Sequence, residues 1–333
     1  MIFIDNEGIT KPQINLALEE YALRNFGESE DYLLFYINEP SIIIGRNQNT
    51  LEEINDGYVR DNGIHVVRRM SGGGAVYHDL GNLNFSFITK YKQENLHNFL
   101  KFNEPVIQIL KEMGVPAEMS GRNDILADGK KISGNAQFST RKRMFSHGTL
   151  LFNSDLGEVA NALNVKMSKI ESKGHKSVRS RVANIIEFID TEMSVTEFRS
   201  RLLEGLYKDQ DSFETYRLTQ NEWKAVHELR KEKYGNWDWN YGKSPKFNIQ
   251  RSKRFPVGEI DLRLDVQKGH IKNMKIYGDF FGKESVQEVE DLLKGVRYEP
   301  EDIAASIEKV NIEDYFGNIE NEEFQELIYG EDA

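Results

Sequence analysis

The sequence is densest in potential chemistry at Arg68-Arg69-Met70-Ser71-Gly72-Gly73-Gly74-Ala75-Val76-Tyr77-His78-Asp79. The apolar run Ile64-His65-Val66-Val67 before it reads as a short buried strand. Three consecutive glycines leave the following backbone free to adopt positive φ and let a ligand approach its amides. The two arginines add fixed charge and forked donors, which suit phosphate or carboxylate. A glycine-rich turn with two solvated arginines satisfies the same pattern. The spacing is not that of a P-loop, and no helix with a later ribose-binding acid marks a dinucleotide fingerprint. A Ser71–His78–Asp79 hydrolase is disfavoured because no nucleophile elbow surrounds Ser71.

A second group is Gly121-Arg122-Asn123-Asp124 followed by Lys130-Lys131-Ile132-Ser133-Gly134. Asp128-Gly129 between them predicts a hairpin. Taken alone, Lys131 reads as a solvated edge residue, and a lysine between glycine-bearing strands could instead reach an anionic oxygen. Phe145 to Phe152 reads as a strand with His147 near its start, with no second metal-type ligand at a recognisable spacing. Residues 166–181 form a basic, glycine-containing stretch: a lid over an anionic ligand, a partner-docking loop or a solvated loop.

The elements that must position these groups are legible in outline. Thr10-Lys11-Pro12 opens a helix with Ile14, Leu18, Tyr21 and Ala22 on one apolar face; Asn15 and Glu19 either lie beside that face or, more blandly, form a solvated flank. Tyr32–Ile37 and Ser41–Ile44 are strands joined by Asn38-Glu39-Pro40, and Gly45 to Asn49 is a polar loop. Residues 83–87 alternate as a half-buried strand should, and 95–113 is helical with Pro105 expected to kink it or to begin a second helix. Capping boxes open helices at Ser194-Val195-Thr196-Glu197 and Thr219-Gln220-Asn221-Glu222. Residues 237–245 close a first domain, placed at 1–246. A second, 250–333, holds a hairpin turning at Lys268-Gly269 and helices near 284–294, 300–309 and 318–328.

At 333 residues, with 39% hydrophobic and 11% aromatic content, the chain can build one large domain and a smaller one. A net charge of −11 argues against nucleic acid as the main partner. No signal peptide and no run of about 18 apolar residues is present, so a cytoplasmic protein without a membrane span is expected. The chain has no cysteine, which removes enzyme-bound thioester chemistry.

In the order in which they occur, residues 69–82, Gly121-Arg122-Asn123-Asp124, Lys131-Ile132-Ser133-Gly134, His147-Gly148-Thr149-Leu150-Leu151 and Ser177-Val178-Arg179-Ser180-Arg181-Val182 resemble the lipoate–protein ligase A family in its two-domain form. The resemblance runs over nearly the whole chain. It implies an α+β fold: a large catalytic domain of mixed and antiparallel sheets flanked by helices, biotin/lipoate ligase-like, with a small α+β accessory domain at the C-terminus. It also implies two reactions. Lipoate and Mg-ATP give lipoyl-AMP and pyrophosphate, and the adenylate then acylates a lysine of an apo lipoyl domain.

By the same resemblance, Lys131 is the catalytic lysine at the carboxyl–phosphate junction. Arg69, Ser71, Gly72, Gly73, Gly74, Ala75, Val76 and Tyr77 hold ATP and lipoyl-AMP together with Asn123, Asp124 and Lys131. Asp124 is also the candidate for Mg²⁺ through phosphate. His78, His147, Gly74 and Val76 are lipoate-pocket candidates, and Lys173, Gly174, Ser177, Val178 and Arg179 belong to the adenylate-binding loop. The residues suit that chemistry, because attack of a carboxylate on the α-phosphate joins two anions that fixed cations must stabilise. The apolar tail needs a tunnel, for which Ile42–Ile44 and Val76 are candidates. The acceptors implied are acyltransferase subunits of 2-oxoacid dehydrogenases, the glycine-cleavage H protein, or both. A cysteine-independent lipoyl or octanoyl transferase, a biotin–protein ligase and a non-catalytic relative are the alternatives. Transferases of this fold use a cysteine thioester in several branches, a biotin–protein ligase would carry a Gly-Arg-Gly-Arg-type loop, and a non-catalytic relative would have lost the anchor residues.

Overall fold

The computed structural model describes residues 1–163, 181–208, 213–241, 247–267 and 269–329. The chain divides into two compact units. One comprises Met1–Ile44, Leu51–Arg68 and Ala75–Asn240, and the other Gly45–Thr50, Arg69–Gly74 and Tyr241–Ala333.

The strands of the first unit are β1 (Ile2–Asp5), β2 (Tyr32–Ile37), β3 (Ser41–Ile44), β4 (His65–Arg68), β5 (Val76–His78), β6 (Asn82–Lys90), β7 (Ala117–Ser120), β8 (Asp124–Ala127), β9 (Lys130–Ser139), β10 (Arg143–Leu151) and β11 (Thr215–Arg217). Eight of them form a mixed sheet in the order β11-β1-β2-β6-β10-β9-β8-β7, and β4-β3-β5 form a small second sheet. The expected strands β2 and β3 both exist, but the Asn38-Glu39-Pro40 connection carries the chain from one sheet to the other rather than closing a hairpin.

Helix α1 (Pro12–Asn25) starts with Pro12, whose missing N–H costs nothing in a first turn. Helices α2 (Phe99–Glu112) and α3 (Val195–Leu206) bury Phe102, Val106, Leu110, Phe198 and Leu202 against Leu33, Phe35, Leu83, Phe85 and Phe87 on one face of the large sheet. Helix α1 lies on the opposite face, where its Glu19 meets His147 of β10. Strand β6 is therefore covered on both sides. Asn82, Asn84 and Ser86 are as buried as their apolar neighbours, which corrects the half-buried expectation. Pro105 neither ends nor restarts α2. It is exposed, so the Lys101 carbonyl it leaves unpaired within the helix can turn to water. Both capping boxes form, Ser194 with Glu197 and Thr219 with Glu222. The second of them opens α4 (Gln220–Leu229), which passes into a π-helical turn at Arg230–Tyr234 and then the short α5 (Trp237–Asn240).

In the second unit, β12 (Ile249–Phe255), β13 (Gly258–Gln267) and β14 (His270–Gly278) form an antiparallel sheet. The expected hairpin is β13–β14, and β12 adds a third strand. Helices α6 (Val286–Leu293), α7 (Pro300–Ile307) and α8 (Asn321–Tyr329) close its core over Leu262, Leu264 and Ile276.

Candidate active site

Lys131 is placed by two local irregularities. The β8–β9 turn is made by Asp128 at φ 48° and Gly129 at φ 73°, both in the left-handed region that a tight two-residue hairpin requires. Just beyond it the register shifts: Leu126 opposes Lys131, yet Ile125 opposes Ser133, so Ile132 is a bulge. In an unbroken ladder Lys131 would share a face with Ser133. The bulge turns it to the face of Asp124 and Gly134, where its ammonium lies 2.8 Å from Asp124 Oδ1. The solvated reading of Lys131 is thereby corrected to a paired, half-buried side chain.

The same face continues across the sheet. Thr149 Oγ1 accepts from the Gly134 N–H at 3.2 Å, and His147, two residues from Thr149, points the same way. Lys131 is fixed through its main chain as well. Its N–H donates to the Arg181 carbonyl at 2.8 Å, and its carbonyl accepts from Ala183 at 3.1 Å. The end of the Ser177 to Val182 block is thus threaded onto the lysine's own strand. Lys173, Gly174, Ser177, Val178 and Arg179 lie outside the described residues.

Asn123 is committed to the backbone of β9: its Nδ2 donates to the Asn135 carbonyl at 2.5 Å, and Asn135 Nδ2 returns to the Asn123 carbonyl at 3.0 Å. Among the described residues no three His, Asp or Glu side chains gather as a metal site.

A methyl group on Gly134 would come 3.0 Å from Lys131 Nζ and 3.1 Å from its Cε. Only the flexible end of a side chain must give way, so Gly134→Ala is expected to keep the melting temperature within about 3 °C while lowering adenylation about tenfold. Thermal melts and initial rates check this pair, and unchanged rates would separate the Lys131 position from the reaction.

The two candidate histidines stand against one helix. His147 Nδ1 donates to both oxygens of Glu19, at 2.9 and 3.1 Å, which places the neutral ring's acceptor at Nε2. His78 has the opposite tautomer. Asn38 Nδ2 can only donate, so His78 Nδ1 accepts at 3.0 Å and the neutral ring carries its proton on Nε2. Asn38 Oδ1 in turn accepts from Asn15 at 2.9 Å, and Asn15 accepts from Asn6 at 3.1 Å. Asn15 and Glu19 are one turn apart on α1 and both buried, so the solvated flank expected for them is overturned. Their i, i+4 spacing inside an apolar helix is the signal that marked them. Ile14 and Tyr21, expected on the apolar face, are only partly buried.

Val76 pairs with Ile43 and His78 with Ser41, which sets the buried Ile42–Ile44 strand beside β5. Burial, reinforced by Asp79 and Glu158, pushes the Tyr77 phenol well above its usual range. One helix position further along α1, burial alone would raise Glu20. The Lys233 ammonium and hydrogen bonds from Lys233, Tyr234 and Arg24 outweigh it and hold the carboxyl low.

In the second unit, the loop 69–74 is wound around its own arginine. Arg69 donates to Ser71 Oγ at 3.1 Å and to the carbonyls of Gly72 at 2.7 Å and Gly74 at 2.8 Å. Gly73 takes φ 90°, and a methyl group on Gly45 would strike the Gly73 carbonyl, so two glycines here are needed sterically. These bonds hold the buried guanidinium in one orientation within the loop.

Residues 11–207 match the lipoyl protein ligase A/B catalytic domain, and residues 244–328 match the bacterial lipoate protein ligase C-terminus. The chain belongs to the lipoate–protein ligase family. It is 60% identical to the lipoate-protein ligase LplJ of Bacillus subtilis (strain 168) over 331 residues, covering 99% of this chain and 100% of that protein. Among solved structures, P. falciparum LipL1 in complex with lipoate superposes with a TM-score of 0.78 at 26% identity, covering 99% of this chain and 98% of that one. A lipoate-protein ligase A bound with ATP gives 0.60 at 32% identity, covering 70% and 94%. The mixed sheets, flanking helices and C-terminal α+β unit are those of this ligase fold.

Proposed function

We propose that this chain is an ATP-dependent lipoate–protein ligase. A lipoate carboxylate oxygen attacks the α-phosphorus of ATP, the bond to the pyrophosphate oxygen breaks, and lipoyl-AMP remains. The neutral Nζ of an acceptor lysine then attacks the lipoyl carbonyl, AMP leaves, and an amide forms. The observation that carries this reading is Lys131, turned by a bulge onto the polar face of the sheet, with its ammonium on Asp124 and its main chain bound to the Arg181 segment. In that position an ammonium offsets the repulsion between carboxylate and phosphate, then the negative charge that grows on the carbonyl oxygen.

Arg69 and the amides of residues 72–77 bind phosphate in this scheme, with Ser71 hydrogen-bonding beside them. Asp124 suits a magnesium ion bound mainly by phosphate oxygens and water, which would neutralise part of the triphosphate charge. Asn123, locked to β9, is a wall residue near the adenine. His78 and His147, with Gly74 and Val76, border the lipoate tail, and residues 173–179 cover the adenylate. Residues 1–246 act as the catalytic domain and 250–333 as the accessory domain. The acceptors are apo lipoyl domains of 2-oxoacid dehydrogenase acyltransferases or the glycine-cleavage H protein. No helix among the described residues is long and apolar enough to cross a membrane, and we place the reaction in the cytoplasm.

ATP–pyrophosphate exchange tests the reading, with lipoate, octanoate, biotin or no acid added. Exchange driven by lipoate is the expected result, and the octanoate ratio reports how closely the tunnel reads the dithiolane. Absence of exchange with every acid would redirect the assignment to acyl transfer from a protein carrier.

A further inference from the structure

The outer edge of β4 is finished by side chains from a distant segment. Among the described residues strand β4 is the end strand of its sheet and pairs with β3, so at Arg68 the N–H and C=O that face away from β3 meet no neighbouring strand. Asn240 and Trp239 supply the missing rung. The Arg68 N–H donates to Asn240 Oδ1 at 2.9 Å, and Trp239 Nε1 donates to the Arg68 carbonyl at 2.8 Å. The guanidinium closes the clasp over the end of α5, with Nε donating to the Trp239 carbonyl at 2.9 Å and an Nη to the Asn240 carbonyl at 3.2 Å. Arg68 and Asn240 are both buried.

The clasp is itself anchored. Asn240 Nδ2 donates to the Tyr234 carbonyl at 2.8 Å, and the Lys233 ammonium lies 4.3 Å from the centre of the Trp239 ring. Lys233 and the Tyr234 hydroxyl both reach Glu20 Oε2 at 2.7 Å, which ties the π-helical turn to α1. The next residue after Arg68 is Arg69, which opens the phosphate-binding loop with its run of three glycines. Glycine-rich backbone has the most conformational freedom to lose, so the direction in which the chain enters the loop must be set from outside it. At the exit, Val76 is already fixed by its pairing with Ile43.

We propose that Trp239 and Asn240 are positioning residues for adenylation, which fix the main chain of Arg68, the residue from which the Arg69–Gly74 loop starts. The inference rests on the ligase reading above. The test compares Asn240→Ala and Trp239→Phe with the unmodified full-length protein in lipoate-dependent ATP–pyrophosphate exchange. The KM for ATP is expected to rise about tenfold, as a small misplacement of a binding group produces. The KM for lipoate should stay within about twofold, a split that general loosening of the fold would not give. Asn240→Asp keeps an acceptor for the Arg68 N–H but loses the donor to the Tyr234 carbonyl, so it should recover only part of the loss.

Hydrogen–deuterium exchange of the segment 69–74 provides the readout that does not depend on activity. Faster exchange there in Asn240→Ala, with the large sheet still protected, supports the clasp. Unchanged exchange of that segment, or KM values for both substrates rising together, overturns it. If the unmodified protein shows no lipoate-driven exchange, the ligase reading fails, and hydrogen exchange alone decides the clasp.

Discussion

Lys131→Ala is expected to lower lipoate-dependent adenylation by roughly two to three orders of magnitude, the usual cost of removing one preorganised donor from a site of developing charge. The fold should survive. The Lys131 side chain is 37% exposed and its partner Asp124 27%, so the ion pair contributes little to stability. The contacts that bind this residue to Arg181 and Ala183 are main-chain and do not need the side chain. The same substitution should slow the second reaction, measured by supplying preformed lipoyl-AMP and an apo acceptor, because the tetrahedral oxyanion loses the same ammonium. A folded variant with unchanged lipoate turnover would remove Lys131 from the mechanism. Loss of adenylation with normal transfer would confine it to the first step.

Arg143→Met should destabilise the protein by about 3 kcal/mol or more, since each buried carbonyl left unsatisfied costs about 1–3 kcal/mol. Arg143 is 2% exposed, and its guanidinium donates to the carbonyls of Phe26 at 3.4 Å, Gly27, Glu30 at 3.0 Å and Ile88 at 3.0 Å. It also lies 5.0 Å from the centre of the Tyr32 ring. Three of those carbonyls are in the loop that follows α1, so one side chain gathers the end of that helix, the turn after it and the central strand β6. Burial lowers the Arg143 pKa, yet a guanidinium remains charged at any working pH, and the carbonyl dipoles stabilise it. Methionine fills similar volume and leaves several acceptors unpaired. Lysine restores the charge but cannot span all four, so Arg143→Lys should fall between the two. Urea unfolding decides this: a lower midpoint at unchanged slope is expected, and a midpoint equal to the parent's would show that Arg143 is not the pin.

The comparison of Lys131 with Arg143 shows where sequence reading succeeds and where it stops. Lys131 stands in an ordered set of blocks with a turn signal beside it. Arg143 carried no such mark, since a single arginine at a strand start looks the same whether solvated or buried. Only packing on both faces of β10 decides between them. The same holds for Glu19 and Asn15. Their spacing was visible, but burial depends on what covers α1, and that is set by β10 and by the Asn38 connection.

The turns, the caps and the family are written in the order of residues along the chain. Those depend on local chemistry: Asp128-Gly129 tolerates positive φ, Ser194 and Thr219 accept from the amides of the first helical turn, and Pro12 needs no donor. Tertiary structure alone decided which face Lys131 occupies, because the extra residue at Ile132 appears only when β8 and β9 are paired and one ladder proves longer than the other. It also decided that β2 and β3 part into separate sheets and that Trp239 completes the edge of β4. Those facts are relations between segments far apart in the chain. No local preference encodes them, since each is fixed by which partner is present to satisfy a strand edge or to exclude water.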